Sequence, residues 1–194
     1  QRQMCIRDRK KDDTTAVQTK DQTITATASY KKSETSKAFK LNAKTNGNGK
    51  LTYTTSNKAV ATVDAAGKVT VKGLGVAKIT VKAAATTDYK AASKTVTVTV
   101  APKKQSISLV NKIKKQLTIK WKKNTKASGY QVVYSTNKKF TGKKTVRKAK
   151  TTTSYKIKGL KKGKKYYVKV RSYKTVNGKR IYGAYSTVKK ATIK

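Results

Sequence analysis

TVTVTVAP, residues 95–102, is the stretch that decides the fold of this chain. Its first six residues alternate threonine with valine, the period of two that a half-buried β-strand requires because successive side chains point to opposite faces. Both residue types are β-branched and suit a pleated sheet. Pro102, the only proline in the 194 residues, ends the run because it has no N–H to donate to a ladder. The stretch therefore predicts a strand that ends at a domain boundary.

The chain before this strand repeats the same signals. Residues 68–72 (KVTVK) and 78–82 (KITVK) alternate in the same way. Glycine-containing turn signals fall between the runs, at residues 46–49 (NGNG), 66–67 (AG) and 73–75 (GLG). Short strands at this spacing, with no helical periodicity of useful length, predict a β-sandwich over residues 21–101.

Residues 102–194 follow the same strand logic. The side chains expected to face the core are Leu117, Ile119, Trp121, Tyr130, Val132, Tyr134, Tyr166, Val168, Val170 and Ser172. The alternate residues are expected to face solvent: Thr118, Lys120, Lys122, Gln131, Val133, Ser135, Tyr167, Lys169, Arg171 and Tyr173. Asn177-Gly178 predicts a two-residue hairpin, whose favoured turn needs positive φ at both positions. The chain is thus predicted to be all-β, with two sandwiches arranged end to end.

Charge separates the two units. The chain carries a formal net charge of +42, with 49 Lys and Arg, seven Asp and Glu and no His. Residues 102–194 hold thirty of the basic residues and no acidic residue, whereas residues 21–101 hold thirteen basic and four acidic residues. The second unit therefore has almost no groups for acid–base catalysis or metal binding. Glu34, Asp64 and Asp88 of the first unit are too far apart in sequence to predict a calcium site. We expect neither an enzyme nor a cofactor.

The N-terminal residues are excluded from the fold prediction. Gln1–Lys10 (QRQMCIRDRK) has no periodicity and resembles a translated sequencing adaptor, so residues 1–20 are interpreted as a non-native or disordered leader. Cys5 is the only cysteine, so no intrachain disulfide is expected. The sequence has no signal peptide and no apolar run of about eighteen residues, so no membrane span is predicted. We expect a monomeric fragment of a larger protein.

Residues 21–101 resemble the bacterial immunoglobulin-like group 2 domain. The residues that carry the resemblance are Tyr53–Asn57 (YTTSN), Val60–Asp64 (VATVD), Gly67–Val69 (GKV) and Gly73–Val81 (GLGVAKITV). The resemblance implies that the first unit is an immunoglobulin-like β-sandwich.

Residues 102–194 resemble a fibronectin type III domain. Trp121 fits the buried tryptophan of the second strand, Tyr130-x-Val132-x-Tyr134 fits the third strand, and Gly183–Ser186 (GAYS) fits the start of the last strand. Leu160–Ser172 (LKKGKKYYVKVRS) fits the leucine, turn and tyrosine-corner motif. The resemblance implies a core of Trp121, Tyr130, Tyr134, Leu160 and Tyr166. It also implies that the Tyr166 hydroxyl bonds to upstream backbone. The fold class is then two tandem immunoglobulin-like β-sandwiches.

Candidate binding residues come from the charge pattern of the second unit. The polyanion-binding candidates are Lys161, Lys162, Lys164, Lys165, Lys169 and Arg171, and the stacking candidates are Tyr167 and Tyr173. Only six of the 49 basic residues are arginine, which favours diffuse attraction over bidentate recognition. The alternatives are that the lysines only solvate the surface and protect sheet edges, and that the aromatic row is an ordinary sandwich face.

Tandem modules of this kind resemble the stalks, spacers and adhesive segments of surface or secreted proteins of Gram-positive bacteria. The resemblance implies an extracellular or cell-surface location. Together with the charge, it predicts a non-catalytic spacer that adheres to an anionic polysaccharide or teichoic acid. The alternatives are a purely structural stalk, an accessory carbohydrate-binding region of a larger secreted enzyme or adhesin, and nonspecific binding of nucleic acid.

Overall fold

The computed structural model describes residues 18–194, which form strands and turns without a helix. The predicted leader lies mostly outside the described residues, and so does Cys5. Lys20, which was assigned to that leader, is part of the first unit: its N–H donates to the Asp88 carbonyl at 2.7 Å, and its carbonyl accepts from the Lys90 N–H. Within residues 18–194 the first unit has nine strands: β1 (Ile24–Thr25), β2 (Ser29–Ser33), β3 (Phe39–Lys40), β4 (Lys44–Thr45), β5 (Leu51–Thr55), β6 (Ala61–Val63), β7 (Lys68–Val71), β8 (Gly75–Ala83) and β9 (Ala92–Ala101).

The first unit is a sandwich whose central strand is the TVTVTV run. β9 lies in the four-stranded sheet β2-β9-β8-β5, which faces the three-stranded sheet β3-β7-β6, and β1 pairs with β4. β9 runs antiparallel to β8 but parallel to β2, with Tyr30 opposite Val98. Val96, Val98 and Val100 are fully buried, whereas the alternate threonines Thr97 and Thr99 are half-buried. The period of two therefore places the valines in the core, as predicted.

The second unit contains the remaining strands of the described chain. They are β10 (Ile107–Val110), β11 (Leu117–Trp121), β12 (Gly129–Ser135), β13 (Lys144–Ala149), β14 (Ser154–Ile157), β15 (Lys165–Val176), β16 (Lys179–Tyr182) and β17 (Lys189–Thr192). One sheet is β10-β11-β14, and the other is β13-β12-β15-β16 with β17 also paired to β15. Asn177 and Gly178 join β15 to β16 with φ of 47° and 73°, which confirms the hairpin. The all-β class with two sandwiches is confirmed.

The last strand of the second unit is broken in two. β16 pairs with the end of β15 and β17 with its beginning, and Gly183–Ser186 lies between them rather than starting a strand. The break is held by Ser186, whose N–H donates to the Val170 carbonyl at 2.7 Å and whose hydroxyl accepts from the Val170 N–H at 3.0 Å. A side chain at Gly183 would collide with the backbone oxygen of Pro102. The segment therefore crosses close to the domain boundary.

The core of the second unit centres on two aromatic rings that pack against each other at an angle. The ring centroids of Trp121 and Tyr130 lie 5.4 Å apart in a tilted arrangement, and Tyr134 and Leu160 are buried beside them. The Tyr130 hydroxyl accepts the Asn124 N–H at 2.7 Å. The buried Trp121 Nε1 has no hydrogen-bond partner within the described residues, so the indole contributes through packing.

The expected tyrosine corner is not formed at Tyr166. Its ring is half-buried against the core, but no hydrogen bond joins its hydroxyl to upstream backbone in the described part of the chain. Backbone bonds fix the corner instead: Gly163 N–H donates to the Ile193 carbonyl at 2.8 Å, and Ile193 N–H donates to the Lys164 carbonyl at 3.0 Å. Backbone bonds to Ile193, the residue after β17, thus hold this corner.

The strict alternation predicted for β12 is wrong. All seven residues of this strand are buried, including Gln131, Val133 and Ser135, which were expected to face solvent. The strand lies between β13 and β15, and large side chains of neighbouring segments cover its second face. A central strand can therefore lose its solvent face when long side chains fold over it.

Candidate functional site

The face of the β13-β12-β15-β16 sheet that points away from the core, called the outer face below, carries a row of interleaved cations and rings. The row consists of Phe140, Lys169, Tyr185, Arg171 and Tyr182. Lys169 and Arg171 come from β15, where alternate residues share one face. The rings come from three other places: the turn after β12, the break in the last strand, and the end of β16. The broken last strand is what brings Tyr185 between the two cations.

Arg171 is held by three contacts at once. Its guanidinium carbon lies 3.9 Å from the ring centre of Tyr182 and 4.2 Å from that of Tyr185. Its Nε donates to Gln131 Oε1 at 2.7 Å, and the Tyr185 hydroxyl donates to the same oxygen at 3.1 Å. A planar guanidinium suits such stacking. Arg171 was predicted to bind polyanions, but the structure places it in an intramolecular stack.

Lys169 occupies the neighbouring position in the row. Its Nζ lies 4.0 Å from the Phe140 ring centre and 4.5 Å from that of Tyr185. Burial, and then repulsion from Lys143 and Arg171, lower the pKa of Lys169 below its usual value. The two rings compensate this unfavourable placement by attracting the cation. Like Arg171, this candidate for polyanion binding is already engaged within the protein.

The two stacking candidates differ in what surrounds them. Tyr173 packs against Tyr182, with ring centroids 5.6 Å apart, and Arg180 lies 5.5 Å over its ring. Tyr167 is in neither kind of pair within the described residues. It lines an open groove of about 380 Å³ together with Lys138, Val188 and Lys190. The structure thus leaves Tyr167 as the candidate whose ring is available, and we call this site the Tyr167 groove.

The turn that carries Lys138 is tightly fixed. The Ser135 hydroxyl donates to the Thr141 carbonyl at 2.8 Å and accepts the Asn137 N–H at 3.0 Å. Phe140 adopts φ of 61°, which a bulky side chain rarely does, and its ring is buried against Lys169. One wall of the Tyr167 groove is therefore anchored by the row beside it.

The other lysine candidates form an exposed loop. The lysine loop, defined as Lys161, Lys162, Lys164 and Lys165, turns at Gly163 with φ of 74° and leads into β15. All four side chains are exposed. Lys165 lies two residues before Tyr167 on the same strand, so the two share the outer face about 7 Å apart. Lys165 thus places one end of the lysine loop beside the Tyr167 groove.

The junction between the two units is centred on Glu34. Its Oε1 accepts the Lys103 N–H at 2.9 Å and the Asn124 side-chain amide at 2.7 Å. Its backbone N–H donates to the Ala101 carbonyl at 2.9 Å, so one residue contacts β9, the linker and the second unit. Pro102 is buried beside it. The carboxylate therefore fixes the second unit against the first.

The acids of the first unit do not converge. Asp64 Oδ1 accepts the N–H groups of Ala66 and Lys68 in its own turn, and Glu34 lies at the junction. In residues 18–194 no three His, Cys, Asp or Glu side chains lie together as metal ligands. No helix in those residues has the length and apolarity that crossing a membrane needs.

Comparison with known families agrees with this architecture. Residues 34–86 match the family model of the intimin immunoglobulin-like domain, and residues 100–188 match that of the fibronectin type III domain. The chain contains an immunoglobulin-like domain followed by a fibronectin type III domain. The predicted order, an immunoglobulin-like domain followed by a fibronectin type III domain, is confirmed, and the matching immunoglobulin-like model is that of intimin rather than group 2. Immunoglobulin-like and fibronectin type III domains are generally non-catalytic and fit a surface or structural protein.

Individual relatives cover parts of the chain. A Kelch domain-containing protein of Sulfurisphaera tokodaii is 35% identical over 85 residues, which span 44% of this chain and 11% of that protein. The FN1–FN3 domains of chicken CNTN1 share 20% identity with a TM-score of 0.42, covering 66% of this chain and 46% of theirs. An fn3 domain of human contactin 1 shares 16% identity with a TM-score of 0.41, covering 48% of this chain and 80% of its own.

Sequence reasoning missed the three rings of the row and the Glu34 junction. Phe140, Tyr182 and Tyr185 belong to turns and strand ends, where periodicity carries no information. One signal was present for Tyr185. It lies two residues after Gly183, at the expected start of the last strand, and a glycine inside a strand often marks irregular backbone. Nothing in the sequence joins Glu34 to Asn124, ninety residues later.

Proposed function

We propose that this pair of domains is a non-catalytic surface spacer whose fibronectin type III domain adheres to an anionic polymer, either an acidic polysaccharide or a teichoic acid. The observation that carries the proposal is the charge of residues 102–194, with thirty basic residues and no acidic one. Such a surface attracts polyanions over the Debye length, about 8 Å at physiological salt. It also repels other proteins of like charge.

The contacts on the outer face narrow down which basic residues would bind the polymer. Lys169 and Arg171 are stacked on tyrosine and phenylalanine rings, whereas the four lysines of the lysine loop are exposed at the start of the same strand. An exposed ammonium can exchange water or counterions for a polymer anion without losing an internal contact. The lysine loop therefore takes the main role in adhesion.

The test is a salt titration of binding to teichoic acid, a sulfated glycan and single-stranded DNA. Because binding releases counterions, log affinity should fall linearly with log salt. Changing all four lysines of the lysine loop to glutamine should reduce that slope by about three to four units. The matched control changes four exposed lysines of the first domain, Lys50, Lys58, Lys68 and Lys72, and should alter the slope much less. Equal losses in both variants, or no binding to any polymer, would contradict the proposal.

A purely structural stalk is the second candidate, and the Glu34 junction favours it. The two hydrogen bonds that Glu34 Oε1 accepts, together with the buried Pro102, hold the domains in one arrangement, which a spacer requires. A stalk alone predicts that no polyanion binds at physiological salt, so the titration above separates the two functions.

A further inference from the structure

We propose that the Tyr167 groove is a subsite for one anionic sugar unit, with the Tyr167 ring as stacking platform and Lys138 and Lys190 as the cations that hold its acidic group. The proposal rests on the proposed function and deepens it from diffuse attraction to one defined site. It assigns a role to Tyr167, whose ring does not take part in the cation–ring and ring–ring contacts described for the outer face.

The geometry of the strands brings the parts of this groove together. Tyr167 is opposite Ser135 on one side and Lys190 on the other, so it lies between β12 and β17. Lys138 follows Ser135 in the fixed turn after β12. Lys138 and Lys190 thus line the groove from segments on opposite sides of Tyr167. A sugar over the ring would present its carboxylate, sulfate or phosphate to either one.

The chemistry of the walls favours a sugar over a bare anion. A pyranose has an apolar face that stacks on aromatic rings, and its acidic substituent needs a cation at the ring edge. Val188 adds an apolar wall and is 43% exposed, one of the two large hydrophobic side chains exposed in residues 18–194. An ordinary lysine surface has neither a ring nor an apolar wall. The groove of about 380 Å³ is at the small end of ligand sites, which suits a single unit of a polymer.

The positive charge beside the Tyr167 groove extends further than a single sugar unit of the polymer. Lys165 lies next to Tyr167 along the outer face, the rest of the lysine loop precedes it in the chain, and no residue of 102–194 is acidic. A polymer with an acidic group on successive units could place one unit in the groove and the next over the lysine loop. The subsite would then determine the position of a polymer that the lysines otherwise attract only diffusely.

The experiment compares two probes of similar charge: a sulfated oligosaccharide, which has sugar rings, and inorganic polyphosphate, which has none. In the full chain, Tyr167→Ala should weaken binding to the oligosaccharide about threefold to tenfold and leave polyphosphate binding unchanged. Tyr167→Phe keeps the ring and should retain oligosaccharide binding. Equal effects of Tyr167→Ala on both probes, or none on either, would overturn the subsite while leaving charge-driven adhesion intact. Failure of the wild type to bind either probe would overturn both proposals.

A second variant tests the groove without touching a strand residue. Val188→Glu introduces a carboxylate into the groove from an exposed position between β16 and β17. Its control is Ile113→Glu, the same charge change at the other exposed large hydrophobic residue, 58% exposed. Oligosaccharide binding should fall several-fold more with Val188→Glu than with Ile113→Glu. Equal losses would mean that net charge alone decides binding and that the groove is not a site.

Discussion

Replacing Arg171 with methionine should destabilise the second domain although no core residue changes. The substitution removes two cation–ring contacts, at 3.9 and 4.2 Å, and one hydrogen bond of 2.7 Å to Gln131. Each cation–ring contact at a partly exposed site is worth about 0.5–1 kcal/mol. The charge-assisted hydrogen bond adds about 1 kcal/mol after allowance for solvent. Gln131 keeps the Tyr185 hydroxyl as a donor, so no acceptor is orphaned.

The sum is about 2–3 kcal/mol, which for a domain of this size lowers Tm by roughly 10–20 °C. Calorimetry of the full chain should show the change in the transition of the second domain alone. Arg171→Lys retains the charge but not the planar fork and should lose about half as much. Arg147→Met is the control, because Arg147 is exposed on the edge strand β13.

The outcome decides between two roles of the row. If Arg171→Met and Arg147→Met melt at the same temperature as the wild type, the stack stabilises nothing. Arg171 would then return to the polyanion-binding candidates. If Arg171→Met lowers Tm but leaves the salt slope of polyanion binding nearly unchanged, the arginine belongs to the scaffold.

Three further perturbations test the core, the junction and a tyrosine ionisation. Trp121→Ala should cost about 3–5 kcal/mol in a urea titration. Trp121→Phe should cost much less, since the indole N–H that it removes has no partner in the described chain. Glu34→Ala should destabilise the second domain by about 1–2 kcal/mol, because the side-chain amide of buried Asn124 loses its acceptor. The same variant should broaden the distribution of interdomain distances measured between spin labels. An unchanged distribution would refute the role of Glu34 at the junction. Burial, helped by Tyr155 and Tyr166, raises the pKa of Tyr134, so one tyrosine should ionise late in an absorbance titration and Tyr134→Phe should abolish that step. Its neutral form stabilises the fold below pH 10, and this contribution is lost as pH rises through the raised pKa.

The sequence predicts the fold where side chains report on burial in a regular way. Alternation places Val96, Val98 and Val100 in the core, and Asn177-Gly178 identifies the hairpin through its demand for positive φ. The same rule fails on β12, because Arg171 of β15 and Tyr185 of the strand break lie against Gln131 on the face that was expected to be in solvent. The alternation of side chains is a property of one strand, whereas the burial of its faces depends on which other segments pack against them.

For the candidate site, the sequence predicts which residues share the outer face but not which of them are engaged by other side chains. The alternation of Tyr167, Lys169, Arg171 and Tyr173 on one face follows from the period of β15. Which of the four has an available ring or charge depends on Phe140 and Tyr185, which reach the face through irregular backbone, and on Tyr182 at the end of β16. The corner at Tyr166 shows the same limit: backbone hydrogen bonds to Ile193 hold it, whereas the motif implied a bond from the Tyr166 hydroxyl.

The parallel pairing of β2 with β9 has a mechanical consequence. Tension between the two ends of the chain would pull β2 from Ser29 and β9 from Ala101, so the two strands would have to slide past each other. Their register pairs, from Ser29 opposite Thr97 to Ser33 opposite Ala101, would carry the load together rather than open one at a time. Single-molecule stretching should therefore give a higher rupture force for this domain than pulling it across the sheet. A domain placed in series between a surface and a bound polymer would in this way resist flow.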